Sequence, residues 1–217
     1  MCNNWPDFPI SVYGATGGLI GNNIMICGGW GGWGSSYFDE CYSLTSETAT
    51  FVIHMSVGRF FAASIVLNDK TLWVTGGYTG VSSLASTEYV TMTGTKIGPD
   101  LPMALQNHAM VAINSTCSMI IGGYSGGTSA LTFFYYHNEG EWITGPSLIE
   151  SRDGPAAGIV TDEVTNEHFV AVTGGKYYSD AWFNLDSSEL LQDKEWVQGK
   201  MNMLSFGIFL EIIYGKI

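Results

Sequence analysis

Positive charge and long apolar segments are both scarce in this sequence. Its 217 residues include 8 lysines and arginines against 20 aspartates and glutamates, which gives a formal net charge of −12. Proteins that bind nucleic acid or anionic membranes need a cationic surface, so neither partner is expected. No uncharged apolar run reaches the about 18 residues that cross a bilayer, so no membrane insertion is expected either.

Several motifs of catalysis and metal binding are also missing. The sequence has no Cys-x-x-Cys or Cys–His spacing of a zinc site, and its four histidines fall in different parts of the chain. It has no nucleophile elbow. The glycine-rich residues 28–34 are not followed by the lysine and helix of a phosphate loop. We therefore expect a protein that is not an enzyme and holds no cofactor or metal.

The sequence does contain a doubled glycine that returns four times, each time after a short apolar run. The pairs are Gly28-Gly29, Gly76-Gly77, Gly122-Gly123 and Gly174-Gly175, and their spacings are 48, 46 and 52 residues. Glycine reaches positive φ without a Cβ clash, so each pair predicts a tight exit from a buried strand. A period of about 50 residues is typical of propeller blades and similar arrays.

Each repeat contains about four short strands, and helical periodicity over three turns is absent. Four-stranded antiparallel units repeated in this way predict an all-β protein with a single β-propeller region. The approximate blades are residues 11–56, 57–103, 104–150 and 151–203, followed by an apolar tail at 204–217. In the fourth repeat, residues 181–185 are predicted to form the third strand.

These repeats resemble the kelch family, whose pattern is an apolar strand, Gly-Gly, a later Tyr, then a Trp before a loop with Pro and Arg. The Gly-Gly pairs match in all four repeats, and Trp142 and Trp196 match the Trp. Arg59 and Arg152 match the loop Arg, with His108 at that place in the third repeat. The Tyr is matched by Tyr42, Tyr89 and Tyr136, with Phe183 in the fourth repeat.

The opening of the chain resembles, more narrowly, invertebrate kelch-repeat proteins of uncharacterised role. The residues that carry this likeness are YGATGG at 13–18, Cys27-Gly-Gly, and Asp39-Glu-Cys-Tyr42. Kelch propellers usually close with about six blades. The resemblance therefore implies a kelch-type propeller of four blades and a partial strand, which is a fragment, a diverged member or an unusually small ring.

Aromatic residues follow the glycine pairs, and the resemblance implies that these loops share one face with the loops between blades. The candidate partner-binding residues are Trp30, Trp33, Tyr37, Arg59, Tyr78, His108, Tyr124, Arg152, Tyr177 and Tyr178. Aromatic and Arg side chains are the usual anchors of recognition. The alternative is structural: the aromatics pack their own blade and the arginines bond carbonyls. Trp30 and Trp33 lie among glycines with little local surface to pack on, which favours binding.

Two features bear on the compartment. Cys27 and Cys41 are 14 residues apart on strands expected to be neighbours, so they form either a disulfide or two of four buried thiols. Asn114-Ser115-Thr116 is a glycosylation sequon on an expected hairpin turn. Together they favour an extracellular setting, although residues 1–6 have neither the basic start nor the apolar core of a secretion signal.

The sequence predicts a binding module that holds a protein or peptide on the loop face of the propeller. Some enzymes, including copper galactose oxidases, use kelch-type propellers, so a propeller-based oxidase or carbohydrate-acting enzyme is the alternative. A truncated, non-functional fragment is a third hypothesis.

Overall fold

The computed structural model describes residues 6–32, 37–162 and 164–199, which form an all-β structure. The predicted tail, residues 204–217, lies outside this part. Blade 1 contains β1 (Thr16–Ile20), β2 (Asn23–Cys27), β3 (Glu40–Leu44) and β4 (Ala49–His54). Blade 2 contains β5 (Ala63–Leu67), β6 (Thr71–Thr75), β7 (Thr87–Val90) and β8 (Thr95–Ile97).

Blade 3 contains β9 (Ala109–Asn114), β10 (Cys117–Ile121), β11 (Thr132–Tyr136) and β12 (Glu141–Thr144). The fourth repeat contains β13 (Ala156–Thr161), β14 (His168–Thr173), β15 (Lys176–Tyr178), β16 (Trp182–Asn184), β17 (Ser188–Gln192) and β18 (Glu195–Gly199). Blade 4 consists of β13, β14, β17 and β18, while β15 and β16 pair only with each other. Among the described residues, no helix has the length and hydrophobicity of a membrane span.

Each blade is an antiparallel meander, and only in blade 4 do two other strands, β15 and β16, intervene between the second and third strands. The second strand is the most apolar and the most buried: Leu72, Trp73 and Val74 of β6 and Met119, Ile120 and Ile121 of β10 have no exposed surface. The outermost strand is solvated, and all three residues of β8 are exposed. Hydrophobic burial therefore explains why the apolar runs become inner strands.

The glycine pairs are structural, as predicted. The first glycines have φ values of 68°, 58°, 64° and 64°, and the second glycines 103°, 99°, 100° and 86°. This left-handed conformation suits glycine because it has no Cβ. The N–H groups of Gly29, Gly77 and Gly123 donate to backbone carbonyls of the segment between blades, at 2.8, 2.8 and 2.7 Å. The first three pairs therefore turn the chain out of the inner strand and bond it to the segment that leads to the next blade.

Replacing Gly77 with alanine should therefore destabilise the chain by about 1–3 kcal/mol. Its φ is +99°, and an added Cβ would lie 2.9 Å from the carbonyl oxygen of Phe60 and 3.1 Å from Cβ of Ala62. Gly94→Ala is the matched control in the same blade, because a Cβ there meets nothing within 4 Å. Chemical unfolding of both variants measures the difference, and equal stabilities would contradict the role assigned to the pair.

The chain divides between Gln106 and Asn107 into two compact units. In unit 1, which holds blades 1 and 2, Met25, Cys41, Met55, Leu72 and Val74 belong to one buried cluster. In unit 2, which holds blades 3 and 4, the corresponding cluster includes Met119, Ile121, Val170, Val172 and Trp196. Each core lies between two neighbouring blades, so one face of each sheet is buried against the other.

Cys27 and Cys41 lie directly opposite each other on β2 and β3 and form a disulfide, with their Cα atoms 4.1 Å apart. Both residues belong to the buried cluster of unit 1. Of the two interpretations of this pair, the structure therefore shows the disulfide. Cys117 in unit 2 is a buried free thiol, and burial raises its pKa.

The prediction for the third strand of the fourth repeat was wrong. Residues 181–185 do not join blade 4; β16 pairs with β15 in a separate hairpin, and β17 is the third strand of the blade. The alignment that placed Phe183 at the position of the later Tyr therefore fails as well. The sequence pattern misled because the inserted hairpin carries aromatic residues of its own, which look like a strand of the repeat.

Candidate functional site

An aromatic cluster occupies the Gly-Gly end of the blades in unit 1. It consists of Tyr13, Trp30, Tyr37, Phe60, Phe61 and Tyr78. Phe60 is at its centre, and its ring centroid lies 4.4–6.1 Å from those of the other five residues. Isolated β-bridges join Tyr13 to Trp30, Trp30 to Tyr37 and Phe60 to Tyr78. Residues after the glycine pairs thus meet residues of the inter-blade segments.

The cluster is buried at its centre and open at its edge. Phe60 is 7% exposed, whereas Tyr13 is 47% exposed and Trp30, Tyr37 and Tyr78 are partly buried. The ring of Tyr37 stacks on that of Phe60 at 5.3 Å, with 19° between the planes. Such packing holds the partly exposed rings in place, so a ligand would meet a surface that is already ordered.

For Trp30, the prediction of little local packing surface was wrong. Its ring lies 5.2 Å from Tyr13, 5.9 Å from Tyr37 and 5.8 Å from Phe60. Two of these partners are distant in sequence, which explains why the glycines around Trp30 suggested an isolated side chain. Trp33 lies outside the described residues.

Phe61 has a backbone conformation that is unusual for a bulky residue. Its φ is +57°, and the corresponding positions before the other blades hold Gly14, Asn107 and Gly154, at φ of 68°, 52° and 68°. The repeat is visible in the hydrogen bonds: Phe61 N donates to Gly14 O at 2.8 Å, and Gly154 N donates to Asn107 O at 2.9 Å. The left-handed backbone conformation costs a non-glycine residue about 1–2 kcal/mol. Phe61 therefore adopts an unfavourable backbone conformation while its ring packs in the cluster.

Unit 2 has a different aromatic group, built around the β15–β16 hairpin. Tyr177 stacks on Phe183 at 5.2 Å, and Trp182 lies 5.3 Å from Tyr178 and 6.1 Å from Tyr124. Tyr178, Trp182 and Phe183 are about half exposed. The structure therefore places the predicted Tyr177 against Phe183, and the predicted Tyr124 and Tyr178 against Trp182, in two separate contacts. Trp182 and Phe183 were not among the predicted partner-binding residues.

A lysine completes this group. The Nζ atom of Lys176 lies 4.4 Å from the centroid of the Trp182 ring and 3.6 Å from the Asp153 carboxylate. Burial raises the pKa of Asp153, an effect that Lys176 partly opposes. The ammonium over the indole is a cation–π contact, which orients the exposed ring.

The two predicted arginines do not belong to either aromatic surface. The side chain of Arg59 has no exposed area, and its Nη1 donates to the carbonyls of Gly76 and Ser86 at 2.9 and 2.8 Å. Its Nη2 lies 2.8 Å from Oε1 of the buried Glu88, whose other oxygen accepts from Ser56 N–H at 2.8 Å. Burial lowers the pKa of Arg59, which Glu88 opposes.

Arg152 repeats this arrangement in unit 2. Its Nη1 donates to the carbonyls of Gly174 and Ser187 at 2.7 and 3.1 Å, and its Nη2 lies 3.0 Å from the buried Glu189. These contacts contradict a direct partner-binding role for either arginine. Both side chains use their donors to join one blade to the next. This is the structural alternative, in which the arginines bond carbonyls.

His108 does not occupy the position of the loop Arg in the third repeat, as had been predicted. The Gly29 and Gly123 amides donate to the carbonyls of Arg59 and Arg152, and the Gly77 amide donates to that of Leu105. Leu105 is therefore the equivalent residue, and the position equivalent to Glu88 holds Phe133 by strand register. An ion pair in two repeats thus corresponds to two apolar residues in another.

His108 itself is buried, and burial lowers its pKa from 6.5 to about 4. Between these two pH values the unfolded chain binds a proton that the folded chain does not, so stability should fall as the pH falls through this window. At pH 5 the loss should be about 2 kcal/mol relative to pH 7. Urea unfolding at both pH values measures it. His108→Asn should remove most of the difference, and an unchanged pH dependence would contradict the assignment.

One group in the described part of the chain could offer three metal ligands: Asp39, Glu40 and His54, whose donor atoms lie within 4.8 Å of one another. The His54 and Asp39 side chains are 59% and 41% exposed and 2.9 Å apart. This hydrogen bond raises the pKa of His54. The group is accounted for as a surface ion pair, and we assign it no further role.

A shallow depression of about 480 Å³ lies at the other end of blade 2. It is lined by Leu67, Asn68, Thr71, Tyr89, Thr91, Gly94, Thr95 and Lys96. These residues flank the β5–β6 and β7–β8 turns. None of the predicted partner-binding residues is among them.

Comparison with known proteins bears on the fold. No protein-family model matches the sequence, and neither does any curated protein. The solved structure of YjhT, a kelch-repeat β-propeller protein, matches with a TM-score of 0.77 and 14% identity, covering 89% of this chain and 72% of that chain. At this identity the likeness shows the fold alone. The chain is therefore an all-β protein whose four four-stranded antiparallel sheets have the form of kelch-propeller blades.

Proposed function

We propose that this chain is a non-catalytic binding module that holds a protein or peptide on the aromatic cluster of unit 1. The observation that carries the proposal is the cluster itself, in which partly exposed Tyr13, Trp30, Tyr37 and Tyr78 surround the buried Phe60. Tyrosine and tryptophan offer large contact areas with few rotatable bonds, and they are enriched among the residues that dominate binding energies. The unfavourable φ of Phe61 supports the same function, because backbone strain of this kind is often found at functional sites.

The charge of the chain indicates what kind of partner fits. The sequence has only two arginines, Arg59 and Arg152, and both side chains are buried in ion pairs. The remaining positive charges are lysines, and acidic residues outnumber all basic ones by 20 to 8. Complementary charge favours encounter between partners, so we expect the bound segment to be basic.

Selection from a displayed library of unstructured peptides, with the full chain as bait, tests this function. Selected peptides should bind the wild-type chain about tenfold or more tightly than the Tyr13→Ser/Tyr78→Ser variant, because each lost anchor typically costs about 1 kcal/mol or more. Ile97→Ser is the matched control, since Ile97 is 69% exposed on β8 of the same unit and outside the cluster.

All three proteins should show the same cooperative melting, so that a loss of affinity is not a loss of folding. Peptides that bind the tyrosine variant as tightly as the wild type would contradict the proposal. A selection without any binder would do so as well. The alternative of a non-functional fragment predicts that last result together with a broad, non-cooperative melting transition.

A further inference from the structure

A surface turn in unit 2 carries the chain's single Asn-x-Ser/Thr triplet, Asn114-Ser115-Thr116. Asn114 is the last residue of β9, Ser115 and Thr116 connect it to β10, and all three residues are exposed. The side-chain oxygen of Asn114 accepts hydrogen bonds from the backbone N–H and from the hydroxyl of Thr116, both at 2.9 Å. Both bonds use the oxygen, so neither engages the amide nitrogen, which is the atom that N-glycosylation modifies.

The turn is fixed by a backbone hydrogen bond to the neighbouring strand segment and by the buried residue that follows it. Thr116 O accepts from His137 N–H at 2.9 Å, and the next residue, Cys117, is buried. The strand β10 runs from this turn to Gly122, so the turn lies at the opposite end of the blade from the glycine pair. Five residues of strand span about 17 Å, which leaves room for a glycan without covering the Gly-Gly end of that blade.

An independent feature in unit 1 identifies a compartment in which this modification occurs. The Cys27–Cys41 disulfide is typical of proteins that fold in an oxidising environment, such as the lumen of the endoplasmic reticulum. Asparagine-linked glycosylation of Asn-x-Ser/Thr triplets belongs to secreted proteins as well. We propose that Asn114 is the acceptor of an N-linked oligosaccharide, on a chain that matures in the secretory pathway.

The modification is a substitution at the anomeric carbon of the sugar donor. The Asn114 amide nitrogen forms a bond to the anomeric carbon of an oligosaccharide carried on a polyprenyl diphosphate. The bond between that carbon and the diphosphate oxygen breaks, and the polyprenyl diphosphate leaves. The amide loses one proton to the transferase, and no electrons are exchanged.

Expression of the full chain behind a cleavable secretion signal in a eukaryotic host tests the proposal. The secreted wild type should migrate as a slower band that an amide-cleaving glycosidase removes, converting Asn114 to aspartate in the peptide mass spectrum. Asn114→Gln and Thr116→Ala should each lose the slower band, whereas Thr116→Ser should keep it. The secreted chain should also show no thiol labelling at Cys27 and Cys41 before reduction.

The chain offers a matched control in unit 1. Lys70→Thr completes an acceptor triplet at Asn68, which lies in the exposed turn between β5 and β6. Modification of that variant shows that the host modifies turns of this kind. An unmodified Asn114 on the wild-type chain overturns the proposal, whether or not Lys70→Thr is modified. Thiols of Cys27 and Cys41 that react without reduction overturn the assignment of the compartment.

Discussion

Replacing Arg59 with leucine should lower the free energy of unfolding by about 3–5 kcal/mol, because it leaves a buried carboxylate without its partner. Glu88 is about as buried as Arg59 and keeps only the Ser56 amide as a described donor to its carboxylate. The substitution also removes the donors to the carbonyls of Gly76 and Ser86. Unpaired buried polar groups carry a desolvation penalty, so the loss should exceed that of any surface ion pair.

The chain itself suggests the compensating change. Where unit 1 pairs Arg59 with Glu88, the equivalent positions of the following repeat hold Leu105 and Phe133. The double variant Arg59→Leu/Glu88→Phe should therefore recover at least half of the loss, since an apolar pair often substitutes for a buried ion pair at little cost. Arg152 and Glu189 offer the same test in unit 2.

Chemical denaturation of the wild type, the two single variants and the double variant gives the coupling energy directly. Lys96→Leu is the matched control, because Lys96 is an exposed cation on β8 of the same blade and should change stability by about 0.5 kcal/mol or less. If Arg59→Leu were as mild as Lys96→Leu, or if the double variant were worse than the sum of the single ones, the assigned role would be wrong.

Removing the disulfide should have the second-largest effect. The Cys27→Ala/Cys41→Ala variant should lose about 3 kcal/mol, since the bond closes a short loop and so restricts the unfolded chain. The two cysteines are separated by 14 residues and face each other across β2 and β3 inside the core of unit 1. Their removal therefore also costs packing in that core.

Denaturation with and without reductant measures this effect. The reduced wild type should be about as unstable as the double variant, and the variant should not respond to reductant. Cys117→Ala is a useful control, because Cys117 is a buried cysteine without a disulfide. A wild type whose stability does not change on reduction would contradict a stabilising role for the bond.

Much of the fold could be predicted because its signals are local. A glycine pair after an apolar run requires only positive φ at two positions, and all eight glycines have it. The spacing of the pairs then places each inner strand and its hairpin. The exception is the fourth repeat, where the β15–β16 hairpin interrupts the meander. An insertion changes the spacing without changing the character of the residues, so the pattern alone assigned the wrong segment to the blade.

The candidate site could be predicted only in part. Trp30, Tyr37 and Tyr78 followed from their place after the glycines. Phe60 and Phe61 come from the segment between blades 1 and 2 and carry no motif, and Tyr13, which precedes β1, was noted only for a family resemblance. Arg59 and Arg152 were correctly placed in the segments between blades but were assigned to partner binding. The sequence does not distinguish an exposed arginine in a loop from a buried one. Their acidic partners Glu88 and Glu189 lie 29 and 37 residues away.

The sequence by itself therefore determined the repeat, the class of fold and the turns, because these depend on backbone conformations and apolar runs within a few residues of each other. The tertiary structure alone decided which aromatic rings meet, which charges are buried and which cysteines are bonded. Those properties depend on side chains brought together from different strands and blades, where burial and pairing, and not residue type, set the energy of each group.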